Sequence, residues 1–223
     1  MKLVTRDSGL VTRLAAATLI FAAASDLHSQ NPPTPPIAAP AAQPAPQRGG
    51  GGGRGARRVM TLTSTAFSDG GLIPVRHAQP GRDVSPPLTW TGAPDSTVSF
   101  VLILHDMDAA AGDGTDDALH WMVWNIPGSA TSLGEGQPQG PQPAGMRQIS
   151  ASGPYYRGPA APSTGPAHHY AFELYALDAN VNVQPVGQTT AATRAAVFDA
   201  MKDHVRGKGV LVGLFRRADP PQP

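Results

Sequence analysis

From Val59 onward the chain carries short stretches of strand-like patterning. Val59 to Thr63 alternates apolar and polar residues, the period of a half-buried strand. Val98 to Leu104 and Trp121 to Ile126 are rich in β-branched and aromatic residues, and Pro127-Gly128 stops the second. Tyr170 to Leu177 predicts another strand, with Tyr170, Phe172, Leu174 and Ala176 on one face. A helix is predicted from about Thr190 to Arg206, capped by Thr190, striped by Phe198, Met201 and Val205, and ended by Gly207. Val210 to Phe215 reads as the last strand. Several strands, one late helix and many turn signals predict an all-β fold, a two-sheet antiparallel β-sandwich with one C-terminal helix. Long Pro/Gly-rich loops complete it: the 41 residues from Pro127 to Ala167 hold eight Pro and eight Gly. Irregular loops of that length inside a domain are usually functional or disordered. Here the loop joins the segments around His120 and His168, which makes it a pocket wall.

The pattern changes before Val59. Lys2, Arg6 and Arg13 precede an uncharged apolar run from Leu14 to Ala24, the layout of an export signal. The run is shorter than the roughly 20 residues a spanning helix takes. Ala22 and Ala24 fit cleavage near Ser25, so residues 1–24 are assigned to a signal peptide and the protein to the periplasm or the exterior. No Cys follows that would carry a lipid anchor. Residues 25–58 form a Pro/Gly/Arg-rich disordered linker: seven Pro lie between Pro32 and Pro46, and Gly49 to Gly53 are flanked by Arg48, Arg54, Arg57 and Arg58. A spacer is the plainer reading of that segment, and contact with anionic lipid or nucleic acid the sharper one. Residues 59–223 are the folded domain.

Composition sharpens this division. The 223 residues include 25 Gly and 24 Pro, more than a fifth of the chain against an average of roughly an eighth. That excess argues against a helix bundle or a doubly wound α/β fold. The absence of Cys removes a disulfide scaffold, a thiolate nucleophile and a Cys-ligated zinc site. The formal net charge of +1 conceals a basic N-terminal segment and a mildly acidic body, so a nucleic-acid-binding core is not expected.

Polar residues cluster at the strand ends. Asp106 and Asp108 follow the strand ending at Leu104 and, two apart, are expected to face one site. His120 stands at the start of the next strand; His168 and Tyr170 form another such pair, with His169 facing away. Two carboxylates, two imidazoles and a phenol suit a phosphate ester carrying an amine. Imidazole N–H and phenol O–H would donate to phosphate oxygens, and a carboxylate behind each imidazole would fix its tautomer. The other carboxylate, where it backs no imidazole, would receive an ammonium, and loop N–H groups could add an anion nest. The plainer reading makes Asp-x-Asp a solvated strand end and each His structural. Two Asp and two His are also a workable metal set, but Asp106 to Asp117 fails as an EF-hand because Ala110 and Ala111 occupy key positions. No metalloprotease, nucleophile-elbow, Walker A or dinucleotide motif is present, and neither a cofactor nor a metal is expected.

The order of these segments resembles the phosphatidylethanolamine-binding protein family, in its bacterial Raf-kinase-inhibitor-like branch. The matching stretches are Ser85–Trp90 (SPPLTW), Phe100–Asp108 (FVLILHDMD), His120–Pro127 (HWMVWNIP), Tyr156–Pro159 (YRGP), His168–Asp178 (HHYAFELYALD) and Val210–Phe215 (VLVGLF). They span roughly residues 59–217. The resemblance implies a β-sandwich with a small surface cavity for phosphate-like groups and phospholipid headgroups. By position it implies a binding set of Asp106, Asp108, His120, Pro159, His168 and Tyr170. Two departures stand out: His169 replaces the usual Arg, and Met107 the Pro frequent in eukaryotic forms. Non-catalytic binding of phosphate-bearing anions is the reading favoured, with peripheral membrane contact where the ligand is a lipid headgroup. Inhibition of a protease or kinase is the alternative. A hydrolase with His120 or His168 as base and Asp106 as orienter ranks third.

Overall fold

The computed structural model describes residues 57–218, apart from 141, 143, 144 and 186–188. The assigned signal peptide and all of the linker except Arg57 and Arg58 lie outside the described residues. The strands in chain order are β1 (Arg58–Val59), β2 (Thr61–Thr63), β3 (Gly71–Leu72), β4 (Leu88–Thr91), β5 (Ser99–Ala111), β6 (Asp116–Pro127), β7 (Ser132–Leu133), β8 (Arg147–Ile149), β9 (His168–Leu177) and β10 (Val205–Phe215). One helix, α1 (Thr190–Met201), and a 3-10 turn at Val75–His77 complete the described elements. Arg58 therefore belongs to the first strand and not to the linker.

Seven strands form one sheet in the order β1-β10-β9-β5-β6-β8, with β3 also on β10; β2, β4 and β7 form a second, in the order β2-β4-β7. Pairing is antiparallel except that β1 and β3 run parallel to β10. This corrects the expectation of a wholly antiparallel fold. The N-terminal segment meets β10 first at Gly207–Lys208 and again at Gly213–Leu214, travelling in its direction. Between those contacts it leaves to form β2 in the other sheet.

The alternation read at Tyr170, Phe172, Leu174 and Ala176 becomes one fully buried face of β9. With Phe100, Leu102 and Leu104 of β5, that face packs in one core with Leu62, Leu88 and Trp90 of the three-stranded sheet. The opposite face of the seven-stranded sheet presents Val101, Ile103, Met122 and Trp124 to Val197 and Met201 of α1. Burial on both faces explains why the run before His105 is continuously apolar instead of alternating.

The helix is shorter than predicted. Thr189, not Thr190, caps it, its side-chain oxygen accepting from the Ala192 N–H at 3.2 Å. The next residue, Thr190, donates its hydroxyl to the Ser150 carbonyl. After Met201 the chain turns through Asp203, whose φ is +65°, and Val205 already pairs with Leu177 in β10. Gly207 is a strand residue: a Cβ there would lie 3.0 Å from Met60 Sδ.

Candidate functional site

The site is built where β5, β6 and β9 meet. Along β6, Trp121 opposes Leu104 while Leu119 opposes His105, so His120 is the extra residue of a β-bulge. Strict alternation would turn His120 toward the helix face with Met122. The bulge places it on the face of Trp121, where its ring meets Tyr170 edge-on at 5.2 Å and 82°. Asp106 is the last β5 residue paired with β9, opposite Tyr170. His168, two residues before Tyr170, reaches the same face. Asp106, His120, His168 and Tyr170 are thus brought together.

Their hydrogen bonds fix where the protons sit. Asp106 is 3% exposed. Its Oδ2 and Oδ1 lie 2.9 and 3.1 Å from His168 Nδ1, and Oδ1 also accepts the Asp108 N–H at 3.0 Å. His120 Nδ1 faces the carbonyls of Arg157 at 3.0 Å and Gly158 at 2.8 Å. Carbonyls only accept, so this nitrogen carries the proton and the neutral ring is the Nδ1–H tautomer. Both rings keep Nε2 without a hydrogen-bond partner among the described residues and open to solvent. Burial pushes the His120 imidazole below its ordinary pKa, although the two carbonyls and the charges of Asp106 and Asp83 pull it upward. The Tyr170 hydroxyl accepts the N–H groups of Ala160 at 3.2 Å and Ala161 at 3.0 Å. Burial and the neighbouring Asp106 drive that phenol well above its ordinary value, against the pull of those N–H groups, so it stays neutral.

Asp108 stands beside this group, its N–H on Asp106 Oδ1 and its charge felt by His168, but its carboxylate takes a different hydrogen-bond partner. After Asp106 the chain leaves both ladders, and four residues intervene before Ala111 pairs with Asp116. The Asp108 carboxylate turns to His169, accepting its backbone N–H at 2.6 Å and Nδ1 at 2.9 Å. Those bonds, the backbone one first, hold Asp108 below the usual carboxylate range. Carboxylate support is likewise uneven: His168 has Asp106 directly behind it, but His120 has backbone carbonyls. His169 faces outward as expected and takes Asp108 as its partner.

Pro159 is buried in the wall segment, its carbonyl accepting the Gln79 N–H at 2.9 Å. Residues 157–161 therefore wrap the site: two carbonyls hold His120 and two N–H groups hold Tyr170. That is the part of the long Pro/Gly-rich stretch that borders these side chains; other parts form β7 and β8. Sequence reasoning missed Asp83, whose Oδ1 accepts the Gly158 N–H at 2.7 Å, and Gln79, whose side chain donates to the Gly158 carbonyl. Nothing in the local pattern marks either, because each acts across a long sequence separation. The only signal was that Asp83 stands just before the Ser85–Trp90 motif.

Two concavities, of about 630 and 370 Å³, lie around the β5–β6 hairpin tip, the larger reaching α1. Behind them His105 Nδ1 meets Asp117 Oδ2 at 2.5 Å, and Asp117 also binds Arg194 of α1. Neither holds the His120 and His168 rings. Among the described residues no group of three or more His, Asp or Glu is arranged for a metal ion, and no helix is long and apolar enough to cross a membrane.

Residues 63–216 match the model of the family described as phosphatidylethanolamine-binding protein. A UPF0098 protein of Methanothermobacter thermautotrophicus is 41% identical over 161 residues, covering 71% of this chain and 99% of that protein. LppC of Mycobacterium tuberculosis, named as a lipoprotein, is 33% identical over 162 residues, covering 72% of this chain and 74% of its own. Among solved structures, a phosphatidylethanolamine-binding protein homologue of Chlamydia trachomatis is 31% identical with a TM-score of 0.58, covering 72% of this chain and 99% of that one.

Proposed function

Because the chain belongs to the phosphatidylethanolamine-binding protein family, we propose that it binds phosphate-bearing anions, without catalysis, at Asp106, His120, His168 and Tyr170. The observation that carries this reading is the pair of imidazoles whose Nδ1 atoms are engaged inward while both Nε2 atoms stay open. Neutral rings of that tautomer present lone pairs, which repel an anion. Protonation converts both Nε2 atoms into donors without disturbing the inward bonds, because each Nδ1–H already donates to its own acceptor. Anion binding is therefore coupled to proton uptake. A bound dianion raises the His120 pKa from its depressed value, so affinity rises as pH falls toward that value. Sulfate, whose charge is fixed across this range, reports the effect free of ligand titration.

A cationic end of the ligand would find the Asp108 carboxylate already occupied by His169. Phosphoethanolamine then binds no more tightly than phosphate. The test is a titration of inorganic phosphate followed by the imidazole NMR signals of His120 and His168. Both move in the wild type, and the His168 response is lost in His120→Ala. Wild-type signals that ignore phosphate and sulfate from pH 5 to pH 8 overturn the reading.

A second reading has its own observation. Asp106 on Nδ1 of His168 is the arrangement of a general base with an orienting carboxylate. Turnover of a chromogenic phosphate or carboxylic ester that disappears in His168→Ala would establish a hydrolase in place of a binding module. Export to the periplasm or exterior is part of the proposal, supported by the charged and apolar pattern of residues 1–24 and by the relative named as a lipoprotein. A mature N-terminus near Ser25 is the expected finding.

A further inference from the structure

His168 has a carboxylate directly behind it; His120 has backbone carbonyls there, and a carboxylate stands a single peptide group further away. The C=O of Arg157 and the N–H of Gly158 belong to the same amide. His120 Nδ1 donates to that carbonyl at 3.0 Å, and Asp83 Oδ1 accepts that N–H at 2.7 Å. We propose that Asp83 is the positioning residue of His120, acting through this amide to fix its tautomer and to support its protonated form. The inference rests on the anion-binding reading for its function, but its geometry concerns a residue that reading does not use.

Five features show a built arrangement. A carboxylate on an amide N–H polarises the group, which makes its carbonyl a stronger acceptor for the imidazole proton. Asp83 adopts φ +53°, a left-handed conformation that Asp tolerates better than most residues and that presents its carboxylate to the amide. Its neighbour Val84 is held from both sides, the carbonyl by His77 Nδ1 at 2.8 Å and the N–H by the Arg76 carbonyl at 3.3 Å. Gly158 is required by the approach: a Cβ there would stand 2.2 Å from the His77 carbonyl oxygen and 2.9 Å from Asp83 Oδ1. The other Asp83 oxygen faces Arg157 Nη1 at 3.5 Å, so its remaining charge is turned to the same segment. Asp106 and Asp83 are the charged groups whose fields act on His120. Removing one leaves the other as an internal reference.

The experiment uses the full chain and the ¹⁵N signals of the His120 ring. In ligand-free wild type at pH 8 they show a single Nδ1–H tautomer. Asp83→Gly keeps the backbone conformation and removes the carboxylate; the ring then shows mixed tautomers and the dissociation constant for inorganic phosphate rises about tenfold. Asp83→Asn keeps an acceptor for the Gly158 N–H but loses the charge. Its ring stays Nδ1–H, while its titration midpoint moves to lower pH. An unchanged tautomer in Asp83→Gly, or an unmoved midpoint in Asp83→Asn, overturns the proposal, and the Asn variant decides alone if the Gly variant fails to fold. Mixed tautomers in Asp83→Gly combined with no phosphate response in wild type would uphold the positioning role and remove the anion-binding reading.

Discussion

Tyr170 joins two tasks at one atom. Its hydroxyl oxygen accepts the N–H groups of Ala160 and Ala161, so the ring that borders His120 also ties down the pocket wall. Replacing it with Phe keeps the ring and leaves two backbone donors without their acceptor. A buried donor stripped of its partner costs about 1–3 kcal/mol, and Tyr170→Phe is expected to lose that much in urea unfolding. A loss near zero would mean that water replaces the hydroxyl and that the wall is not anchored there. Asp108 gives the opposite expectation at the same scale. It is bound to exposed His169, so Asp108→Ala should leave phosphate affinity unchanged; a large loss would return Asp108 to the binding set.

Strand β10 shows how an element can carry its information in residues that it lacks. Its inward positions are Gly207, Gly209, Leu211, Gly213 and Phe215, and the small ones admit Met60, Leu62 and Ile73 from the N-terminal segment. A Cβ at Gly213 would lie 2.4 Å from Ile73 Cγ1 and 2.8 Å from Phe67 Cε2. Gly213→Ala is expected to destabilise by about 1–3 kcal/mol in thermal or urea unfolding, the usual cost of overpacking a filled core. The outward Val210→Ala, at 45% exposure, should cost far less, and equal costs would refute the close approach. The cap offers a parallel comparison: Thr189→Ala should cost about 1 kcal/mol through its loss of the Ala192 bond. In sequence, a period of two was readable where large apolar residues marked it, as at Tyr170, Phe172, Leu174 and Ala176. It was unreadable where glycines marked it, and Gly207 passed for a helix stop. The same period failed at His120, because a bulge leaves no trace in composition, and at Asp108, because the chain had already left its ladders. Asp83 lay beyond any local rule, since its effect depends on folding against Gly158.

Across the molecule the perturbed ionisations define a window of maximal stability. Burial pushes Asp117 up, but the Arg194 hydrogen bond and the charges of His105 and Arg194 outweigh it and leave the carboxyl below its usual range. Burial of Glu173 is likewise outweighed by its bonds to Lys208 and Tyr175. A carboxylate depressed in the folded state stabilises fully above its ordinary pKa, near 4, and loses that contribution as pH falls through the folded value. His120 acts in the same direction at higher pH. Its folded pKa lies below the ordinary value of about 6.5, so the unfolded chain takes up the proton first and stability declines as pH drops from that point. Tyr156, Tyr170 and Tyr175 are raised chiefly by burial, and for them the sign reverses. Their contribution is complete below about pH 10 and is lost above it, where the unfolded chain ionises first. Urea or thermal unfolding in buffers free of phosphate and sulfate should therefore show a plateau from about pH 7 to 9. A first decline toward pH 5 should belong to His120, and a steeper one should follow below about pH 4. His120→Asn removes the titrating group and should flatten the decline between pH 7 and 5 while sparing the acid limb. Added sulfate should offset the same decline in wild type, because an anion that binds the imidazolium form stabilises the fold where that form is populated. An unaltered slope in His120→Asn would show that the buried ring does not govern stability in this range, and it would remove the proton linkage on which the proposed anion binding depends.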